Sequence, residues 1–218
     1  MKELKIKNSD EKYSVGKIVC IGRNYAKHAE EMGSEVLKFP LIFLKPASSL
    51  IFSGEPVIFP ENSGELHHEV ELVLLIGKDV KNASDEEAED AIAGYGVGLD
   101  MTLRTVQHEL KAKGHPWTLA KVFDTSAVLS DIVLKKDYQL KGNERIKVTV
   151  NEMEKQNSTL DYMLFNSVEI VKYISAQFTL EKGDLIFTGT PEGVGPVDKT
   201  DRLYASIENL AELNTEIK

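Results

Sequence analysis

The stretch GELHHEVELVLLIG, residues 64–77, sets two imidazoles and two carboxylates directly before an apolar run. Such a run reads as a strand buried on both faces. Residues two apart on a strand share a face. Glu69, Glu71, Val73 and Leu75 therefore point one way, and His68, Val70, Leu72 and Leu74 the other. Both carboxylates sit on a face that turns apolar two residues later, where a solvated face would continue polar. Paired carboxylates on a semi-buried face repel each other and lose hydration, so they call for a compensating cation. A hard divalent ion such as Mg2+ or Mn2+ answers that demand through oxygen ligands. The alternative is a pair at the exposed mouth of the strand that binds nothing, and the E-x-E spacing does not decide between them.

Working outward, short β-type runs dominate: KIVCIG, LIFLKP, PVIFP, GYGVGLDMT, IKVTV, DLIFTGT and RLYASI, many of them bounded by Gly, Pro or Asp. Helical patterns are fewer. YAKHAEEMG ends at Gly33, and TLRTVQHELKAKG ends at Gly114. DEEAEDAIAGYG opens with acids, as the positive end of a helix dipole prefers. MLFNSVEIVKYISAQF spaces its apolar residues at three and four. The order is irregular and not β-α-β-α, which argues against a doubly wound parallel sheet. The expectation is an α+β, mostly β, single domain.

The chain has 218 residues, 42% of them hydrophobic, which suits one domain with a sizeable core. A net charge of −9 argues against nucleic acid and against an anionic membrane surface, because both need clustered Lys and Arg. The single cysteine, Cys20, lies in an apolar run and reads as a small buried hydrophobe. The N-terminus shows no signal-peptide core, and no apolar run reaches the ~18 residues of a membrane span. The expectation is a soluble, cytoplasmic protein.

A third oxygen could come from Asp100, which ends the run YGVGLD; its alternative role is to cap the following helix. His28 and Glu31, three apart in a helical pattern, share a face and could serve as base and orienting carboxylate, or lie on a solvated face. The Asn, Gly and Pro around them mark a candidate lid near Met32 to Phe39. Lys45 and Lys121 interrupt apolar surroundings and read as site cations or as snorkelling side chains. TGTPEGVGP, residues 188–196, fits neither common nucleotide-loop pattern. There is no cysteine cluster for zinc and no G-x-S-x-G elbow.

CIGRNYAKHAEEMG, PLIFLKP, HHEVEL, GLDMTLRTVQ, PWTLAKVFD and FTGTPEGVG, in that order, resemble the fumarylacetoacetate hydrolase family. The similarity is to its short single-domain members, the acylpyruvases and oxaloacetate decarboxylases. It runs from Val15 onward and leaves residues 1–14 as a short N-terminal extension. The resemblance implies a β-rich roll flanked by helices, usually dimeric. It implies Glu69, Glu71 and Asp100 as ligands of Mg2+ or Mn2+, and His28, Glu31 and Lys121 as catalytic residues. Arg23, Lys45, Arg104, Gln107 and Thr190 match positions that line the pocket or hold substrate oxygens. The activity implied is attack of His28-activated water on an acylpyruvate, with C–C cleavage through a metal-stabilised enolate. Oxaloacetate decarboxylation and 2-hydroxyhepta-2,4-dienedioate isomerisation share that intermediate and are the alternatives. A reading from another class is a metal-dependent small-molecule binding protein without catalysis.

Overall fold

The computed structural model describes residues 2–33 and 38–218. An eight-stranded sheet, curled into a half-barrel, forms the frame. From one edge its order is Leu41–Lys45, Ile18–Gly22, Leu185–Phe187, Val70–Ile76, Ile92–Asp100, Ala127–Leu129 and Leu50–Phe52, with Val133–Leu134 also pairing on Ile92–Asp100. A four-stranded antiparallel sheet (Met153–Thr159, Arg145–Val150, Arg202–Ile207, Ala211–Glu216) packs against it. A three-stranded sheet joins Gly195–Val197, Leu66–His68 and Thr102–Leu103. Five α-helices are found among the described residues, so the expected mostly-β, α+β class is what the chain adopts.

The alternation read from residues 64–77 separates two cores. Val70, Leu72, Leu74 and Ile76 enter a large cluster shared with the four-stranded sheet and with the helix Ser167–Gln177. Val73 and Leu75 enter a smaller one on the opposite face, with Ile18, Cys20, Leu185 and Phe187. Leu4 and Tyr13 of the N-terminal extension pack into this second cluster. The strand Ile92–Asp100 faces the first cluster with Tyr95, Val97 and Leu99, and its other face is glycine-rich. A Cβ on Gly98 would stand 2.5 Å from the Phe187 ring and 2.7 Å from Val73, so glycine there makes room for the second core.

The helical patterns become Ala26–Glu31, Asp85–Ala91, Arg104–Ala112 and Ser167–Gln177. Ser84 with Glu87 and Asn166 with Glu169 form capping boxes at two of them. Two details depart from the sequence reading. PVIFP is not a strand: Val57 makes only an isolated bridge to Ile217, because the prolines flanking the run lack the N–H a ladder needs. WTLAK supplies a short helix, Thr118–Lys121, that no periodicity announced.

Candidate metal and acid–base site

The site lies where the second face of the large sheet changes from apolar to acidic. Glu69 immediately precedes the strand Val70–Ile76, Glu71 lies within it, and Asp100 ends the neighbouring strand. The Asp100 N–H donates to the Glu69 carbonyl at 2.9 Å, which fixes the register that aligns the three. All three are buried, and one oxygen from each lies within 4.8 Å of the others. The capping role for Asp100 does not occur: the helix Arg104–Ala112 starts after Leu103 and has no side-chain cap.

Cations surround part of this cluster. Lys121 Nζ donates to Glu69 Oε2 at 2.7 Å, to Asp100 Oδ2 at 2.6 Å and to the Thr102 hydroxyl at 2.7 Å. Arg104 pairs with Glu69 and donates to Gln107 Oε1. Burial works to raise the Glu69 carboxyl, but Lys121 and Arg104 outweigh it and hold it well below the usual range. Burial likewise works against the Lys121 charge, and Asp100 and Glu69 reverse it, so this ammonium is held more firmly than an ordinary lysine's. Glu71 is different: among the described residues its Oε2 accepts only the Gly189 N–H, at 2.8 Å. Burial, then Asp100 and Glu69, push its carboxyl well above the usual range. Gly189 is required there, because its φ is +98° and a Cβ would stand 2.6 Å from Asn24 Cβ.

The expected pocket cation Lys45 lies one layer deeper than expected. It ends an edge strand and reaches under Asp100, its Nζ paired with Oδ1 across 2.8 Å while it donates to the carbonyls of Met101, Lys121 and Ser126. Arg23, His28, Arg104, Gln107, Lys121 and Thr190 do line the cleft with the three carboxylates. Arg23 stacks on Trp117, 5.8 Å from its ring, in a left-handed backbone conformation of φ +60°.

His28 is carried on the short helix Ala26–Glu31. Its Nδ1 faces Glu31 Oε2 at 3.3 Å, and the Gly193 N–H donates to both Glu31 oxygens, at 3.1 and 3.2 Å. Burial lowers the His28 pKa below 6.5 even though Glu69 and Glu31 favour its cation, so the imidazole is neutral at physiological pH. Glu31 thus links the imidazole to the Gly193 backbone. Of the candidate lid, Met32 lines the cleft and Phe39 stacks on Tyr173; residues 34–37 lie outside the described residues.

Residues that no motif announced hold this arrangement. Asn24 Nδ2 donates to the carbonyls of Thr188 and Phe165 at 2.7 and 3.0 Å, and its Oδ1 accepts the Phe165 N–H at 2.8 Å. It ties the His28 segment to the Gly189 turn. His108 and Lys111 continue the Arg104 and Gln107 face of their helix at i+4 and i+7 and line the cleft mouth. Helical spacing from Arg104 would have found them.

The donor set is all oxygen, buried and close-set, and Glu71 has no Lys or Arg paired with it among the described residues, which fits a hard divalent cation. The family model for the C-terminal region of fumarylacetoacetate hydrolase matches residues 17–218. The chain belongs to the fumarylacetoacetate hydrolase family. Within that family it is 43% identical over 197 residues to the oxaloacetate tautomerase YcgM of Escherichia coli, spanning 90% of each chain. It is 44% identical over 201 residues to the mouse mitochondrial oxaloacetate tautomerase FAHD1, spanning 92% of this chain and 91% of that one. The fumarylpyruvate hydrolase of Pseudomonas aeruginosa, crystallised with Mn2+ and pyruvate, superposes with a TM-score of 0.95 at 37% identity, covering 99% of this chain and 95% of that one. Among the described residues no helix is long and apolar enough to cross a membrane.

Proposed function

We propose that the protein is a divalent-metal-dependent enzyme of 2-oxo acids whose principal reaction interconverts the keto and enol forms of oxaloacetate. The observation that carries this reading is a buried imidazole, His28, backed by Glu31 on the wall of the same cleft as the three carboxylates. Glu69, Glu71 and Asp100 would hold the ion, and Mg2+ and Mn2+ both suit their oxygens. A divalent ion there supplies Lewis acidity to a substrate with two adjacent oxygens.

Keto–enol exchange moves one proton between carbon 3 and the 2-oxo oxygen and needs neither water nor a leaving group. His28, aligned by Glu31, would take the carbon-3 proton as general base and, as the imidazolium, deliver it to the 2-oxo oxygen; the reverse direction retraces the two transfers. Lys121 and Arg104 keep the cleft wall positive as negative charge grows on the oxygen. Arg23, Gln107 and Thr190 present polar groups to the substrate's oxygens, and Lys45 holds Asp100 in place from behind. The names of the E. coli and mouse relatives favour this reaction.

A second reading, hydrolysis of acylpyruvates, is favoured by the Pseudomonas neighbour and by the same His28–Glu31 pair, which could deprotonate water. Decarboxylation of oxaloacetate and dienedioate isomerisation are further uses of the cleft. The proposal extends to a cytoplasmic location and to a homodimer, for which Leu44, exposed on the edge strand Leu41–Lys45, offers an apolar flank. Solution mass tests the dimer.

The deciding experiment follows the ultraviolet absorbance of enol-oxaloacetate with Mg2+ or Mn2+, beside pyruvate release from acetylpyruvate and fumarylpyruvate. The expected result is rapid, chelator-sensitive loss of the enol signal. An unchanged enol lifetime with brisk pyruvate release would promote hydrolysis, and full activity in chelator would end the metal assignment.

A further inference from the structure

Gln156 is 1% exposed on the strand Met153–Thr159, whose other residues up to Asn157 are solvent-facing. Its amide spans two elements of the site. Oε1 accepts the Val70 N–H at 3.1 Å, and Nε2 donates to the Pro191 carbonyl at 2.8 Å. A backbone N–H cannot accept and a carbonyl cannot donate, so these two contacts fix which end of the amide is which. The second Nε2 hydrogen then goes to Thr190 Oγ1, at 2.8 Å. His68 Nδ1, 3.0 Å from the same Oε1, must carry a hydrogen to donate to it.

Gln156 Nε2 takes one lone pair of the Thr190 oxygen and, being a donor, cannot take its hydrogen, so that hydrogen stays available to the cleft Thr190 lines. We infer that Gln156, outside the cleft, is a positioning residue that sets the Thr190 hydroxyl as a hydrogen-bond donor toward an anionic substrate oxygen. The inference rests on the reading of the cleft as a 2-oxo-acid site.

The test uses oxalate, a dianion with adjacent carboxylate oxygens, titrated calorimetrically into Mn2+-loaded protein, with Mn2+ affinity read separately by electron paramagnetic resonance. Thr190→Val is expected to weaken oxalate by roughly tenfold to a hundredfold, the scale of a hydrogen bond to a charged group, with Mn2+ affinity unchanged. Thr190→Ser is expected to retain it. Gln156→Glu keeps the acceptor for Val70 and His68 but presents an oxygen to Thr190, which turns the hydroxyl away from the cleft. It should match or exceed the Thr190→Val loss. In the Thr190→Val background, Gln156→Glu should add nothing, whereas a merely structural role would add its full cost again. Additive losses, or a Thr190→Val protein that binds oxalate like the wild type, overturn the assignment; the Thr190 variants alone suffice if Gln156→Glu does not fold. Wild-type protein that binds Mn2+ but no oxalate would instead overturn the 2-oxo-acid reading itself, and this inference with it.

Discussion

Glu69 and Glu71 stand two residues apart on one face of a strand, and their surroundings are opposite in sign. Glu69 is gripped by Arg104 and Lys121, and Asp100 shares Lys121 and has Lys45 beneath it. Glu71 has no Lys or Arg paired with it among the described residues, only a backbone N–H from Gly189. The first side of the cluster is therefore a set of fixed charges, permanently paired. The second side is an acid whose carboxyl burial, then Asp100 and Glu69, push well above the usual range. Fixed cations on one side and an acid without an ion-pair partner on the other give the cluster a direction. A divalent ion has most to gain on the Glu71 side, where it breaks no ion pair.

The largest expected effect breaks the comparison at that point. Glu71→Ala should abolish tight Mn2+ binding, measured by electron paramagnetic resonance, together with metal-dependent activity. Undiminished Mn2+ affinity would mean that the paired side alone holds the ion. Next in size is His28→Ala, for which turnover should fall by roughly 10²–10⁴-fold, the usual contribution of a general base. Mn2+ affinity should be unchanged, since the base lies outside the carboxylate cluster.

A stability experiment sharpens the contrast in metal-free protein. Glu69→Gln leaves Arg104 and Lys121 short of their counter-charge and should cost about 3–5 kcal/mol, as breaking a buried pair does. Glu71→Gln removes the one carboxyl that burial penalises without a cation, so its melting temperature in chelator should equal or exceed that of the wild type. Equal losses from both variants would mean that the two sides are energetically alike.

The place of the acidic cluster could be read in the sequence, and its asymmetry could not. Strand periodicity placed both glutamates on one face and separated the residues of the two cores, because a buried strand allows only one register. It called for a compensating cation but could not say that Arg104 and two lysines supply most of it, since those contacts span 21 to 55 positions of sequence. Lys45 was legible as an anomaly in an apolar run, not as the support beneath Asp100. Asn24 and Gln156 were invisible for the same reason: their work is to satisfy backbone groups at |i−j| of 35 and more, and a polar residue in a loop or on a polar strand carries no mark of that. The short Thr118–Lys121 helix was missed because one turn has no periodicity to detect.

The smallest effect is the most specific to Glu71, and its sign follows from linkage. The folded carboxyl sits well above its ordinary value of 4.5, whereas the unfolded one does not. Between those two values the folded protein holds a proton that the unfolded chain has released, so stability declines as pH rises through that interval. Its contribution is fully present below about 4.5 and is lost by the time the folded group ionises. Glu71→Gln cannot ionise. In chelator, the wild type should therefore lose ground to Glu71→Gln steadily as pH rises from about 4.5, while Glu69→Gln, which removes one of the charges that push Glu71 up, should show a smaller loss from this group than wild type. Saturating Mn2+ should erase the drift, because the ion strips the same proton and supplies the missing positive charge. A stability difference between wild type and Glu71→Gln that is flat with pH in chelator would mean that Glu71 is already ionised and compensated, and the two sides of the cluster would then be the same.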